Sequence, residues 1–237
     1  MPEGRQVQQM FSAIAGRYDV LNHVLSGGVD FWWWWRMARK SGAGPGRRFL
    51  DVAAGTGDSS LALARRGAEV VSTDFTHAML RLGPAKFRRK GLDGRIWASS
   101  GADAQRLPFR DACFDGLTIC YGIRNVEDRA RAYAEFLRVL RPGGQLTILE
   151  FSTPVFPWLK AFYGWYSRRV LPRVGAWISG DASAYTYLPE SIRTFPNQPA
   201  LAAELEAAGF RQVHWTNLTG GIVALHTALK GPDRPGS

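Results

Sequence analysis

The stretch "RRFLDVAAGTGDSS", residues 47–60, decides the fold. An apolar run carrying an acid, Asp51, leads into Gly55-Thr56-Gly57, and a helical stretch, "DSSLALARRG", follows. Strand, tight glycine turn and helix in that order form the first βα crevice of an open α/β sheet, where ligands sit beyond the strand ends. Gly55 and Gly57 permit positive φ and a closer approach of ligand to backbone than a side chain would allow. The loop does not read as a phosphate cradle. Ser60 stands at the last position of the G-x-G-x-x-G pattern, and no Gly-Lys-Ser/Thr of a Walker loop follows. Asp51 and Asp58 would also repel a diphosphate.

Outward from this turn, apolar runs alternate with helical stretches. "AEVVSTD" reads as a strand and "HAMLRLGPAKFRRKG" as a helix broken or ended near Pro84. A short strand near "RIWASSG", the apolar run "FDGLTICYG", the helix "RARAYAEFLRVLR", the turn "PGG" and the strand "QLTILEF" come next. A helix around "PALAAELEAAG", a strand "RQVHWTNL", the turn "TGG" and a closing strand "IVALHTALK" complete the chain. Such alternation predicts an α/β fold, a doubly wound seven-stranded sheet of Rossmann-like type, whose last two strands are antiparallel because a short glycine turn joins them.

Four regions follow: N-terminal helices over 1–48 on the substrate side, a ligand-binding core over 49–150, an aromatic lid insertion over 151–195, and a helix with a β-hairpin over 196–230.

The acids at the strand ends describe the ligand. Asp74 ends the second strand and can accept both hydroxyls of a ribose. At "GADAQRLPF" Asp103 and the Ala104 amide can pair with an adenine edge. A glycine turn with Asp74 merely capping a helix would explain the loop alone. Three strand ends agreeing in order point instead to an adenosyl ligand without phosphates, S-adenosylmethionine, contacted by Asp51, Gly55, Gly57, Asp74, Asp103 and Ala104.

The 237 residues suffice for a sizeable core without staples. Cys113 and Cys120 fall at opposite ends of one expected strand, so a disulfide is not expected. The net charge of +10 suits an anionic partner, a nucleic acid or an acidic lipid surface. No apolar run is long enough for a membrane span, and "MPEGRQVQQMF" lacks the apolar core of a secretory signal. A cytoplasmic location is the expectation.

Narrower motifs lie further along. Gly122-Ile123-Arg124-Asn125-Val126, Arg141-Pro142-Gly143-Gly144 and Leu149-Glu150-Phe151-Ser152 occur in order, preceded by "FSAIAGRYDVLNHVLSGG" and followed by "YTYLPESIRTFPNQPALAAELEAAGF" and "NLTGGIVALH". Over nearly its whole length the chain resembles the ubiquinone/menaquinone C-methyltransferases of the UbiE type. That resemblance implies methyl transfer from S-adenosylmethionine to a ring carbon of a polyprenylated quinol, demethylmenaquinol first and a benzoquinol second. It implies cofactor contacts by Thr56, Asp74, Asp103 with Ala104, and Cys120. The chain departs from the family pattern in carrying Cys120 where a small residue such as Ser is usual, and an aromatic run where a single Trp stands among basic residues.

Carbon methylation of a quinol needs a base, a cation for the phenolate and in-line placement, and no metal. Arg124 is the candidate for stabilising phenolate charge, Asn125 for orienting the hydroxyl or a bridging water, and Asp58 for the base, directly or through that water. A structural reading stands beside each: an ion pair of Arg124 with Glu127 or Asp128, and a helix N-terminal role for Asp58. Tyr121 and Tyr187 are candidates for the ring pocket, with core packing the commoner role of such residues. His226 reads as a satisfied, half-buried histidine, and Glu150 as a supporting residue at most.

"DFWWWWRMARK", residues 30–40, poses a separate question. On a helix four consecutive side chains sweep roughly 300°, so they cannot share one buried stripe. Two acid-free segments, 31–50 and 151–180, combine aromatics with Arg36, Arg39, Lys40, Lys160, Arg168 and Arg169. Aromatics at headgroup level and cations drawn to anionic lipid compose an interfacial surface. The expected partners are therefore a lipid-tailed quinol and the inner face of an anionic membrane, with no nucleic acid and with a homodimer left open. Methylation of another small apolar phenol or sterol shares the cofactor loop but not the narrow motifs. An RNA-binding module would need an aromatic strand motif that this sequence lacks.

Overall fold

The computed structural model describes residues 8–9, 12–13, 15–98, 101–170, 173 and 183–232. Seven strands form one sheet: β1 (Arg48–Val52), β2 (Glu69–Thr73), β3 (Ile96–Ala98), β4 (Phe114–Cys120), β5 (Leu140–Phe151), β6 (Phe210–Leu218) and β7 (Val223–Lys230). Their order is β3-β2-β1-β4-β5-β7-β6. Strands β1 to β5 pair in parallel, and β7 runs antiparallel to both β5 and β6. The expected α/β sheet and closing hairpin are borne out. The insertion of β7 between β5 and β6 could not be read from the alternation.

The helices are α1 (Tyr18–Ser26), α2 (Asp30–Lys40), α3 (Asp58–Ala64), α4 (His77–Leu80), α5 (Gly83–Arg89), α6 (Arg129–Val139), α7 (Pro157–Arg169), α8 (Ser183–Thr194) and α9 (Gln198–Ala207). The break expected near Pro84 separates α4 from α5. Pro84 falls in the first turn of α5, where its missing N–H costs no helical hydrogen bond.

Side chains alternate across the strands and so feed two cores. Leu50, Val52, Leu117, Ile119, Leu146 and Ile148 pack with Tyr133 and Phe136 of α6 and Leu201 and Leu205 of α9. Phe49, Val70, Cys120 and Leu149 pack with Trp33 and Met37 of α2, Leu61 and Leu63 of α3, and Phe87 of α5. Coverage on both faces is why β1 after Arg48 is buried at every residue.

The "PGG" segment differs from its reading as a turn ahead of a strand. Helix α6 runs straight into β5, which already pairs Leu140 with Phe114 and then resumes at Gln145 opposite Gly116. The extra residues, with Gly143 at φ 73, are taken up as a bulge within the strand. Cys113 and Cys120 are both free thiols.

Helix α2 divides its tryptophans as the helical period requires. Trp33 is 5 % exposed, Trp34 is half-buried, and Trp32 and Trp35 are 44 % and 48 % exposed. Trp33 Nε1 donates to Thr219 Oγ1 at 2.9 Å, and both inner rings pack against Tyr121. The outer pair is covered in part by cations, with Arg36 5.9 Å from the Trp32 ring and Arg39 4.8 Å from the Trp35 ring.

Candidate active site

Between β1 and α3 the chain turns through three left-handed residues, Ala53 (φ 52), Gly55 (φ 58) and Gly57 (φ 93). Glycine at 57 is also a steric requirement, since a Cβ there would stand 2.4 Å from the Phe87 ring. The turn opens at the C-terminal end of the parallel strands.

Asp51 lies beneath the turn and is fully buried. Its carboxylate accepts from Ser59 Oγ (2.5 Å), Ser60 Oγ (2.6 Å) and Thr118 Oγ1 (2.8 Å). Burial lifts its pKa to about 6 in spite of these three donors. Asp51 thereby ties the start of α3 to β4 and supports the turn from below.

Asp74, partly buried directly after β2, accepts the Gly55 N–H on Oδ2 at 2.8 Å and the Thr76 N–H on Oδ1 at 2.7 Å. Each oxygen keeps further acceptor capacity, as an acid receiving two vicinal hydroxyls must. Burial raises this carboxyl above its usual range as well. On the next loop Asp103 Oδ1 accepts from the Gln105 N–H at 2.9 Å, and Ala104 beside it is buried. Cys120 closes β4 as a buried wall residue, its thiol pushed well up by burial. The turn after β1, the end of β2 and the loop after β3 thus bring together the left-handed Gly55, the Asp74 carboxylate, and Asp103 with Ala104, the residues from which the sequence predicts an adenosyl site. Among the described residues no cluster of three His, Cys, Asp or Glu side chains stands ready for a metal.

Above the turn lies a polar network. Thr56 Oγ1 donates to Asp19 Oδ1 of α1 at 2.5 Å. Lys86 Nζ of α5 stands 2.7 Å from Asp19 Oδ2, 2.6 Å from Asp58 Oδ1 and 3.3 Å from Thr56 Oγ1. Asp58, the candidate base, sits in the first turn of α3 and faces an ammonium group.

Arg124 and Asn125 occupy the 3-10 turn Ile123–Asn125 directly after β4. Beyond the pairing with Glu127 or Asp128 weighed from the sequence, the structure gives Arg124 a buried ion pair with Glu150. Its Nη1 lies 2.7 Å from Glu150 Oε1 at the end of β5 and donates to the Tyr121 carbonyl at 2.6 Å. The guanidinium also lies 5.5 Å from the Phe151 ring. Asn125 is half-buried beside it.

Tyr121, in a left-handed conformation (φ 56), presents its ring to Trp33, Trp34 and Phe151, with centroids 6.4, 5.4 and 4.8 Å away. Tyr187 belongs to α8, but its side chain lies outside the described residues. His226 is buried, with Nε2 3.0 Å from the Gln198 carbonyl, and burial lowers its pKa.

Four residues of this arrangement escaped the sequence reading: Asp19, Lys86, Tyr163 and the pairing role of Glu150. Tyr163 of α7 feels the charges of Arg124 and Glu150, and burial raises its phenol. Only its place in the acid-free aromatic segment hinted at it.

Residues 2–230 match the ubiE/COQ5 methyltransferase family. A demethylmenaquinone methyltransferase of Mycobacterium sp. (strain KMS) is 46% identical over 227 residues, spanning 96% of this chain and 95% of that protein. A ubiquinone/menaquinone biosynthesis C-methyltransferase UbiE of Idiomarina loihiensis is 44% identical over 227 residues, spanning 94% and 90%. Among solved structures the [4+2]-cyclase SpnF superposes with a TM-score of 0.74 at 21% identity, covering 98% of each chain. A cyclase on this framework illustrates that the fold alone does not name a reaction. The near full-length match does what the fold cannot: the chain belongs to the ubiE/COQ5 methyltransferase family.

Proposed function

We propose that the protein methylates a ring carbon of a polyprenylated quinol with S-adenosylmethionine as donor, and that demethylmenaquinol is its principal acceptor. The observation that carries this reading is a juxtaposition. The acid-lined crevice at Gly55–Gly57 and Asp74 opens at the same sheet edge as Arg124 and the aromatic wall of Tyr121, Phe151 and Trp33.

The donor supplies a methyl group already activated by its sulfonium. The chain's own residues must raise the nucleophilicity of the ring. Loss of a proton from the neighbouring hydroxyl pushes charge onto the carbon, and Arg124, held by Glu150, is the cation set to stabilise that charge. Asn125 orients the hydroxyl or a bridging water, and Asp58, in the first turn of α3, is the candidate base, directly or through that water. The aromatic wall excludes water from the ring.

The lipid tail gives the exposed aromatics a purpose. Trp158, Phe162 and Trp165 of α7 and Phe31, Trp32 and Trp35 of α2 are exposed, among Lys160, Arg168, Arg169, Arg36 and Arg39. Among the described residues no helix is long and apolar enough to cross a membrane. Contact is made from the surface, as a peripheral protein at an anionic leaflet.

Incubation with labelled S-adenosylmethionine and each reduced quinone precursor, followed by product masses, tests the reading. A labelled menaquinol is expected. Label appearing only in an unprenylated phenol or a sterol, or in none of the acceptors, would refute it.

A further inference from the structure

We propose that Lys86 is a positioning residue for the cofactor turn: its ammonium latches helix α1 over the turn by joining Asp19 to Asp58. The inference rests on the S-adenosylmethionine reading of that turn and adds a residue and a moving part to it.

Lys86 Nζ has three N–H donors and three acceptors in reach, Asp58 Oδ1 at 2.6 Å, Asp19 Oδ2 at 2.7 Å and Thr56 Oγ1 at 3.3 Å. These acceptors come from three separate parts of the chain: helix α1, the glycine turn and the first turn of α3. The Lys86 side chain is only 12% exposed, so the contacts are sheltered from the screening that makes surface pairs weak.

Towards its C-terminal end helix α1 is tied to α2, where His23 and Ser26 both hydrogen-bond Asp30 and the His23 ring stacks on Phe31. Leu21 is buried, whereas Val20 and Val24 are 56 % and 53 % exposed. At the far end Tyr166 OH donates to the Leu25 carbonyl at 2.9 Å. At the Asp19 end, among the described residues, Lys86 and the hydroxyl of Thr56 supply the polar contacts that join α1 to the turn, beside the buried Leu21.

Charge makes the latch directional. Asp19 and Asp58 share one ammonium, and without it two carboxylates would face each other across a short gap. Attraction would become repulsion, and the end of α1 would leave the turn. Thr56 would lose the acceptor that orients its hydroxyl, and the cofactor crevice would lose a wall.

Hydrogen exchange and cofactor titration on the full chain test this. In the ligand-free protein Lys86→Met should speed exchange of the amides of residues 18–26 at least tenfold, with those of β1, β4 and β5 unchanged. It should weaken S-adenosylmethionine binding by calorimetry at least tenfold. Lys86→Arg should stay within threefold of the parent in both readouts. Adding Asp19→Asn to Lys86→Met should recover much of the slow exchange, because one of the opposed charges is gone. A packing role for Lys86 would make that second substitution neutral or worse, and such a result would overturn the proposal. Unchanged exchange in Lys86→Met would overturn it equally. Should Lys86→Met not fold, Asp19→Asn alone decides, with faster exchange confined to α1 expected and parental exchange fatal to the idea. If the parent protein binds no S-adenosylmethionine, the cofactor reading fails, while the exchange comparison still judges the latch.

Discussion

Arg124 Nη1 stands 2.7 Å from Glu150 Oε1, and the two side chains are 5% and 1% exposed. A buried pair of this kind is costly to break from one side, since the remaining charge is left without compensation in a poorly solvated place. Burial already raises the Glu150 carboxyl, and Arg124 opposes that shift. Arg124→Ala is therefore expected to lower stability by about 3–5 kcal/mol and turnover by about a hundredfold or more, with little change in donor affinity. Replacing both partners by apolar residues, Arg124→Met with Glu150→Leu, should return most of the stability and none of the turnover. Urea unfolding beside a labelled-methyl assay separates the two effects. Recovery of turnover in the double variant would remove Arg124 from the chemistry.

The tryptophan run should split by experiment as it does in space. Trp33→Ala removes a buried ring and its hydrogen bond to Thr219, for an expected loss of about 3–5 kcal/mol by chemical denaturation. Trp32→Ala and Trp35→Ala should each change stability by no more than about 1 kcal/mol, the scale of an exposed cation–π contact. The pair together should instead weaken salt-sensitive co-sedimentation with anionic vesicles. Vesicle binding unaffected by both substitutions would show that this face does not meet the membrane.

Stability should fall with rising pH across the range in which Asp51 titrates. Its folded pKa of about 6 lies above the ordinary 3.8, so between these values the native state holds the proton more firmly than the unfolded chain does. The stabilising contribution is complete below 3.8 and is lost as pH rises through about 6. A shift of this size corresponds to about 3 kcal/mol, and burial moves Asp74 and Glu150 in the same direction. Urea midpoints measured from pH 4 to pH 7 should therefore decline, and Asp51→Asn should flatten the decline. An identical slope in the variant would show that the three hydroxyl donors offset the burial.

Much of the framework was legible because it is local. Apolar runs, helical periods, Gly55 and Gly57 marked β1, the turn and α3, and Pro84 marked the boundary between α4 and α5. The helical period alone required Trp32–Trp35 to face different surroundings. The same strand-end logic listed Asp51, Asp74, Asp103 and Ala104 together, yet it could not see that three hydroxyls enclose Asp51 while Asp74 keeps open acceptors.

By itself the sequence determined the succession of strands and helices, the glycine turn at the first crevice and the narrow motifs around Arg124, because each depends on neighbours a few residues apart. Tertiary structure alone decided that β7 slips between β5 and β6, that Arg124 meets Glu150 26 residues away, and that Thr56 meets Asp19 across 37 residues. Backbone sterics and side-chain period act within a turn or two of chain. The partner of a buried charge is chosen by strand order and helix docking, which no local spacing encodes.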